Sequence, residues 1–112
     1  MKKSAFSLQK RNYIRSEKIT KAAEGQQCTM MSPMCTCDPA TVAFRHSNYG
    51  EDGKGRGIKS EDIYGFFGCQ ACEDWYSMPE NTEDKRIARD YFHQALKRTW
   101  KILFDMGILV VK

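Results

Sequence analysis

The sequence predicts a small α+β protein, stabilised by zinc, with a short N-terminal helix and a long C-terminal helix. Two cysteine groups, Cys28-x6-Cys35-x-Cys37 and Cys69-x2-Cys72, have a spacing that suits four sulfur ligands around one Zn²⁺. Two short β-prone stretches lie between the groups, and a long amphipathic stretch follows them. A length of 112 residues fits one domain over residues 1–112.

We divide the chain into a basic arm (residues 1–15), a zinc-stapled core (residues 16–78), and a C-terminal helix with its tail (residues 79–112). The first 21 residues carry seven lysines and arginines but one acid, Glu17. Such an arm could hold phosphate groups, or it could be a solvated tail. No apolar stretch is long enough to span a membrane, so we expect the chain in the cytoplasm.

The expected elements follow in order. Ser16 is an N-cap for a helix over about residues 16–24, which Gly25 would end. Residues 41–45 and 63–67 are β-prone, and four glycines between positions 50 and 57 indicate a mobile connection. From about residue 82 to residue 106, apolar side chains recur at helical spacing, and Gly107 would end that helix. The tail after it is β-prone and short.

The predicted zinc ligands are Cys28, Cys35, Cys69 and Cys72. Five cysteines in a reducing compartment indicate metal binding or catalysis rather than disulfides, since an odd number leaves one thiol unpaired. Cys37 could replace Cys35, because one intervening residue lets either side chain reach the metal. Alternatively, Cys37 could be a reactive thiol in a redox switch.

His46, at the end of the first predicted strand, could take a proton from water as a general base. Glu73 and Asp74 directly follow the second cysteine pair, and with Asp62 they could bind Mg²⁺ or Mn²⁺. Simpler interpretations are an ordinary structural histidine and acids that favour a helix N-terminus. Basic residues on the long helix could follow a nucleic-acid backbone, but a solvated helix face is the commoner case.

Several motifs carry a resemblance to a known family. They are Lys21-Ala22-Ala23-Glu24-Gly25-Gln26-Gln27-Cys28, Cys35 followed by Asp38-Pro39-Ala40-Thr41 and His46, Gly55-Arg56-Gly57, Lys59, Asp62-Ile63 and Cys69-Gln70-Ala71-Cys72. Through them, residues 28–76 resemble the YbcO-type family of proposed phage and prophage nucleases, which is similar to HNH (ββα-metal) endonucleases.

The resemblance implies an HNH-like ββα-metal core, Cys35 rather than Cys37 as the zinc ligand, and His46 as the base beside a second divalent ion. The chain departs from the family pattern at Glu73, where a histidine is typical, and at Arg45, where an acid commonly precedes the base.

We therefore expect a phage-encoded DNA endonuclease in the bacterial host's cytoplasm that hydrolyses phosphodiester bonds with a divalent cation, in recombination or replication. Its substrate would be duplex or branched DNA. The expected phosphate contacts are Lys10, Arg11, Arg15, Arg45, Arg56 and Lys59. The alternative is a catalytically inactive zinc module that binds DNA or a host protein.

Overall fold

The computed structural model describes residues 12–112 and confirms the α+β class. Its elements are α1 (Glu17–Lys21), β1 (Ala43–His46), β2 (Gly65–Gly68), α2 (Gln70–Ser77) and α3 (Thr82–Asp105), with 3-10 turns at Pro39–Thr41 and Gly50–Asp52. None of the helices in this part of the chain is long and apolar enough to cross a membrane.

The two strands form an antiparallel hairpin in which Phe44 lies opposite Phe67 and Arg45 lies opposite Phe66. Side chains alternate between the faces of a strand. Phe44, Phe67 and His46 therefore share one face of the hairpin, and Arg45 and Phe66 share the other.

Helices α2 and α3 pack on the face that carries Phe66. The fully buried Phe92 of α3 lies 6.0 Å from the Phe66 ring and stacks on Tyr76 of α2 at 5.5 Å. Burying aromatic rings of this size supplies much of the hydrophobic stabilisation of a small domain. The Thr99 hydroxyl, also fully buried, accepts the Phe67 N–H at 3.2 Å and so fixes α3 to β2.

The long helix begins as expected: Asn81 is its N-cap and accepts the Asp84 N–H at 2.8 Å. The tail after it forms no strand. The N–H groups of Ile108 and Leu109 instead donate to the carbonyl of Leu103, which satisfies the end of the helix.

Three other expectations need correction. Helix α1 ends at Lys21 rather than near residue 24. Residues 22–25 form a turn in which Gly25 has a φ of 75°. The second strand begins at Gly65 rather than residue 63, because the Tyr64 N–H closes a turn on the Glu61 carbonyl. The glycine-rich connection contains a 3-10 turn and a short bridge, so it is more ordered than expected.

Candidate metal centre and active site

Four cysteine sulfurs converge on one point beside the hairpin. The Sγ atoms of Cys28, Cys35, Cys69 and Cys72 all lie within 4.8 Å of one another. The Cys28–Cys72 separation is 3.5 Å and the Cys35–Cys69 separation is 3.8 Å. Four sulfurs at Zn–S distances of about 2.3 Å in a tetrahedron would be separated by about 3.8 Å. The predicted ligand set therefore fits a zinc ion.

Secondary structure brings these sulfurs together. Cys69 is the N-cap of α2 and Cys72 lies in its first turn, so one helix end supplies two ligands. Cys28 is held from the other side, because the next residue, Thr29, donates its N–H to the Phe67 carbonyl at 2.7 Å. The centre thus joins the segment before β1 to the start of α2.

Contacts between the thiols and their burial shift their pKa values in opposite directions. The contact with Cys72 lowers the pKa of Cys28 to about 4, and the same contact raises the pKa of Cys72. Burial raises the pKa of Cys35 to about 12. Ser32 adds its N–H and hydroxyl to the Cys72 sulfur, at 3.5 and 3.1 Å. A bound cation would favour the deprotonated form of all four sulfurs, because the thiolate is the form that ligates a metal.

Cys37 lies outside the four-sulfur group. Its side chain is exposed, its Sγ is 3.8 Å from that of Cys35, and its φ of 56° is unusual for a residue other than glycine. Cys35, and not Cys37, therefore has the sulfur that converges with those of Cys28, Cys69 and Cys72.

His46 is oriented by a carboxylate. Its Nε2 lies 2.8 Å from Oδ1 of Asp62, and 19% of its side chain is exposed. The Phe44 ring meets the imidazole edge-on at 5.0 Å. A Cβ at Gly65 would lie 2.4 Å from that Phe44 ring, so only glycine leaves the ring its place beside His46.

Asp62 is itself fixed by the segment that precedes α1. Its side chain is 7% exposed, its Oδ2 accepts the Ser16 N–H at 2.7 Å, and its Oδ1 lies 3.4 Å from Nη1 of Arg15. Burial acts to raise the pKa of Asp62, but the hydrogen bonds from His46 and Ser16 and the nearby charges lower it overall. Asp62 therefore stays an anion and can accept a hydrogen bond from His46.

The other predicted cation ligands have partners of their own. Glu73 accepts the Ser77 hydroxyl at 2.8 Å, and Ser77 lies 3.5 Å from the Asn48 amide. Asp74 accepts the Gln70 amide at 2.9 Å. Over residues 12–112, the cysteine cluster is the only place where three or more Cys, His, Asp or Glu ligand atoms converge. His46 and the acids are thus not preassembled as a cation cage.

Some of the predicted phosphate contacts bind backbone carbonyls of the protein itself, and others have exposed side chains. Arg15 folds inward and donates to the carbonyls of Lys59, at 2.8 Å, and of Ser60. Arg45 donates to the carbonyls of Gly68 and Thr41, both at 2.9 Å.

Arg56 and Lys59 have exposed side chains, whereas Lys10 and Arg11 lie outside the described residues. On α3, the predicted basic stripe is largely neutralised, because Arg86, Arg89 and Lys101 all contact carboxylates.

The sequence did not lead us to predict α2, nor the positions of Asn48 and Ser77 beside Glu73. The sequence nevertheless contains a pattern that indicates this helix. Ala71 with Trp75 and Cys72 with Tyr76 are apolar pairs at four-residue spacing, which is typical of a helix. A helix there would have placed Glu73 and Ser77 on one face.

The comparisons with known proteins agree with this fold. The family model described as "Putative nuclease YbcO" matches residues 17–108. A similar solved structure is that of a putative bacteriophage protein from Escherichia coli str. K-12 substr. MG1655. It is 23% identical, with a TM-score of 0.61, over 80% of this chain and 99% of that chain. At that identity the likeness concerns the fold alone. No curated protein matches the chain.

Proposed function

The chain belongs to the family described as "Putative nuclease YbcO", and from this premise we propose that it is a phage DNA endonuclease with His46 as its general base. The substrate of a nuclease is nucleic acid. The choice of DNA, whether duplex or branched, is part of the proposal, as is hydrolysis of the phosphodiester bond assisted by Mg²⁺ or Mn²⁺.

The observation that carries the proposal is the His46–Asp62 pair. An ionised carboxylate can only accept hydrogen bonds, so a neutral imidazole whose Nε2 lies 2.8 Å from Asp62 would carry its proton on that nitrogen. Nδ1 then keeps its lone pair and can take a proton from water that attacks a phosphorus atom. A carboxylate that fixes the tautomer of a histidine is the arrangement expected of a general base rather than of a purely structural side chain.

Two kinds of metal enter the proposal. Zinc on Cys28, Cys35, Cys69 and Cys72 would be structural, because it would hold the start of α2 against the segment before β1. Mg²⁺ or Mn²⁺, when bound, would neutralise charge on the phosphate, and Glu73 is the carboxylate we propose to hold it. Mg²⁺ is often held by one or two carboxylates together with substrate phosphates, so it needs no complete protein cage.

Phosphate contacts would come from the exposed Arg56 and Lys59 and from Lys10 and Arg11 of the basic arm. Arg15 and Arg45 use their guanidinium groups on backbone carbonyls, which leaves less of each for phosphates. We therefore assign them a smaller part in DNA binding than the other four residues.

The test is His46→Ala, assayed on duplex, branched and single-stranded DNA with Mg²⁺ or Mn²⁺. Cleavage should fall by about 10²–10⁴-fold, the usual contribution of a general base. His93→Ala is the matched control, because His93 is the exposed histidine of α3 and should leave cleavage unchanged. Zinc content and thermal unfolding of both variants establish that the fold is intact. Full cleavage by the His46 variant would refute the assignment.

A second candidate function is a catalytically inactive zinc module that binds DNA. It is favoured by one observation: Glu73 and Asp74 already accept hydrogen bonds from Ser77 and Gln70, and neither converges with two other ligands among residues 12–112. Wild-type protein that binds DNA but cleaves none of the three substrates with either cation would establish this function instead.

A further inference from the structure

A cleft of about 560 Å³ lies beside the end of β1, between the residues that follow it, the C-terminal end of α2 and the first turns of α3. Its volume is within the range of pockets that bind small organic groups, about 300–1,000 Å³. The cleft does not contain His46, Asp62, Glu73 or any cysteine, although Asn48 and Ser77 of its lining lie beside Glu73.

The cleft combines flat and apolar walls with positive charge. Tyr49, Pro79 and Ala88 line the cleft, and the guanidinium group of Arg89 covers one face of the Tyr49 ring, with its central carbon 4.1 Å from the ring centre. Nucleobases bind to proteins by stacking on aromatic rings and on arginine planes of this kind. The walls therefore suit a planar, aromatic guest.

The cleft offers an anionic guest one lysine, because its two arginines already contact carboxylates. Arg89 is paired with Glu51, and Arg86 is paired with Glu83 and Asp90. Lys85 also lines the cleft, and within the described residues no carboxylate forms an ion pair with it. Its ammonium group is available for a phosphate.

The position of the cleft connects it to the proposed active site. Asn48, which lines it, follows His46 by two residues, so the two Cα atoms are at most about 7 Å apart along the chain. Successive phosphates of one strand are separated by a similar distance. The His46 side chain lies on the face of the hairpin opposite α2 and α3, so a strand with one phosphate at His46 would pass around the end of β1 to bring a neighbouring nucleotide to the cleft.

We propose that this cleft binds one unstacked nucleotide of the substrate, with the base against Tyr49, Pro79 and Ala88 and the phosphate toward Lys85. This rests on the proposed function only in that the ligand is a nucleic acid. A base must leave its stack to enter, so DNA with unpaired bases, whether single-stranded or branched, binds more tightly than continuous duplex.

The experiment measures binding in the His46→Ala background, so that cleavage cannot interfere. The probe is a single-stranded oligodeoxynucleotide carrying one 2-aminopurine, compared with the same oligonucleotide in a duplex. Binding should change the fluorescence of the single strand, and Tyr49→Leu should abolish that change and weaken affinity by about 5- to 100-fold, as expected for loss of one stacked base. Lys85→Ala should also weaken binding of the single strand.

Lys97→Ala is the matched control, since Lys97 is an exposed lysine on the same helix but does not line this cleft. Zinc content and far-ultraviolet circular dichroism report whether the Tyr49 variant folds, and Lys85 is exposed enough that its variant should fold in any case. Equal binding by the Lys85 and Lys97 variants would overturn the proposal, as would equal affinity for single strand and duplex.

The nuclease proposal and the cleft proposal can be refuted independently of each other. Selective, Tyr49-dependent binding of the single strand by a protein that cleaves nothing would support the cleft and refute the nuclease. Cleavage by wild-type protein that is indifferent to Tyr49 and Lys85 would do the reverse.

Discussion

Replacing Asp62 by asparagine separates the charge of this side chain from its shape. The amide oxygen of asparagine can still accept the Ser16 N–H, which the carboxylate accepts at 2.7 Å. Its amide nitrogen, however, can only donate toward His46. Nε2 would then have to accept, the proton would move to Nδ1, and the lone pair proposed to deprotonate water would be lost.

The contacts of Asp62 determine how much stability and how much cleavage the Asp62→Asn variant should lose. Hydrogen bonds to a charged group contribute about 1.5–3 kcal/mol each, and Asp62→Asn keeps one contact while inverting the other. We therefore expect a loss of about 2 kcal/mol in the free energy of unfolding. For a chain of this length, that corresponds to a fall of about 10 °C in Tm. Cleavage should decrease by about 10²–10⁴-fold, because the wrong tautomer removes the general base.

The contribution of Asp62 to the free energy of unfolding should change with pH in a defined direction. The pKa of Asp62 is lowered in the folded protein, so its stabilising contribution is present above the unfolded carboxyl pKa of about 3.9 and is lost as the pH falls through the lower, folded value. The stability difference between wild type and Asp62→Asn should therefore shrink as the pH falls from about 3.9 through the lower, folded pKa of Asp62.

Urea unfolding at several pH values, with cleavage rates at neutral pH, measures both effects. Asp74→Asn is the matched control for stability, because Asp74 is an exposed aspartate that accepts a hydrogen bond from Gln70. The reasoning would be refuted if Asp62→Asn cleaved DNA at the wild-type rate, or if its stability equalled that of the control.

Three further predictions concern the zinc centre, the basic residues and the core. Cys69→Ser should lose bound zinc and cooperative unfolding, whereas Cys37→Ser should keep one zinc per chain by elemental analysis. Arg15→Ala should lower stability by about 1–2 kcal/mol in urea, while Arg56→Ala should leave stability unchanged and lower the salt dependence of DNA binding by about one ion. Thr99→Val should cost about 1–3 kcal/mol in urea, because it leaves the buried Phe67 N–H without an acceptor.

The cysteine ligands could be predicted from sequence because metal coordination restricts spacing. Cys69 and Cys72 must share one turn, and a second pair must return to them from elsewhere in the chain. The long helix was equally accessible, since its apolar period extends over 24 residues and ends in a capped turn. The helix depends on neighbours within a few positions, and each cysteine group can be recognised from its own short spacing.

The surroundings of His46 could not be predicted in the same way. Its partner Asp62 is 16 residues away, and the Arg15 that contacts Asp62 is 47 residues from it. Arg15 lies in a basic stretch and carries the same charge as an arginine that binds phosphate. Nothing in the neighbouring sequence shows that it contacts Asp62 instead. Only the packing of the segment before α1 on the loop before β2 does so.

The metal centre and the candidate base are linked through one stretch of chain, residues 14–28. At its start, the Ile14 carbonyl accepts the Asp62 N–H at 2.8 Å and the Ser16 N–H binds the Asp62 carboxylate. At its end, Cys28 enters the four-sulfur cluster. Between them, Ile19 and Ala23 are buried in the core. Zinc bound to Cys28 would therefore restrain the same segment that fixes Asp62, and its loss should disorder the orientation of His46 as well as lower stability.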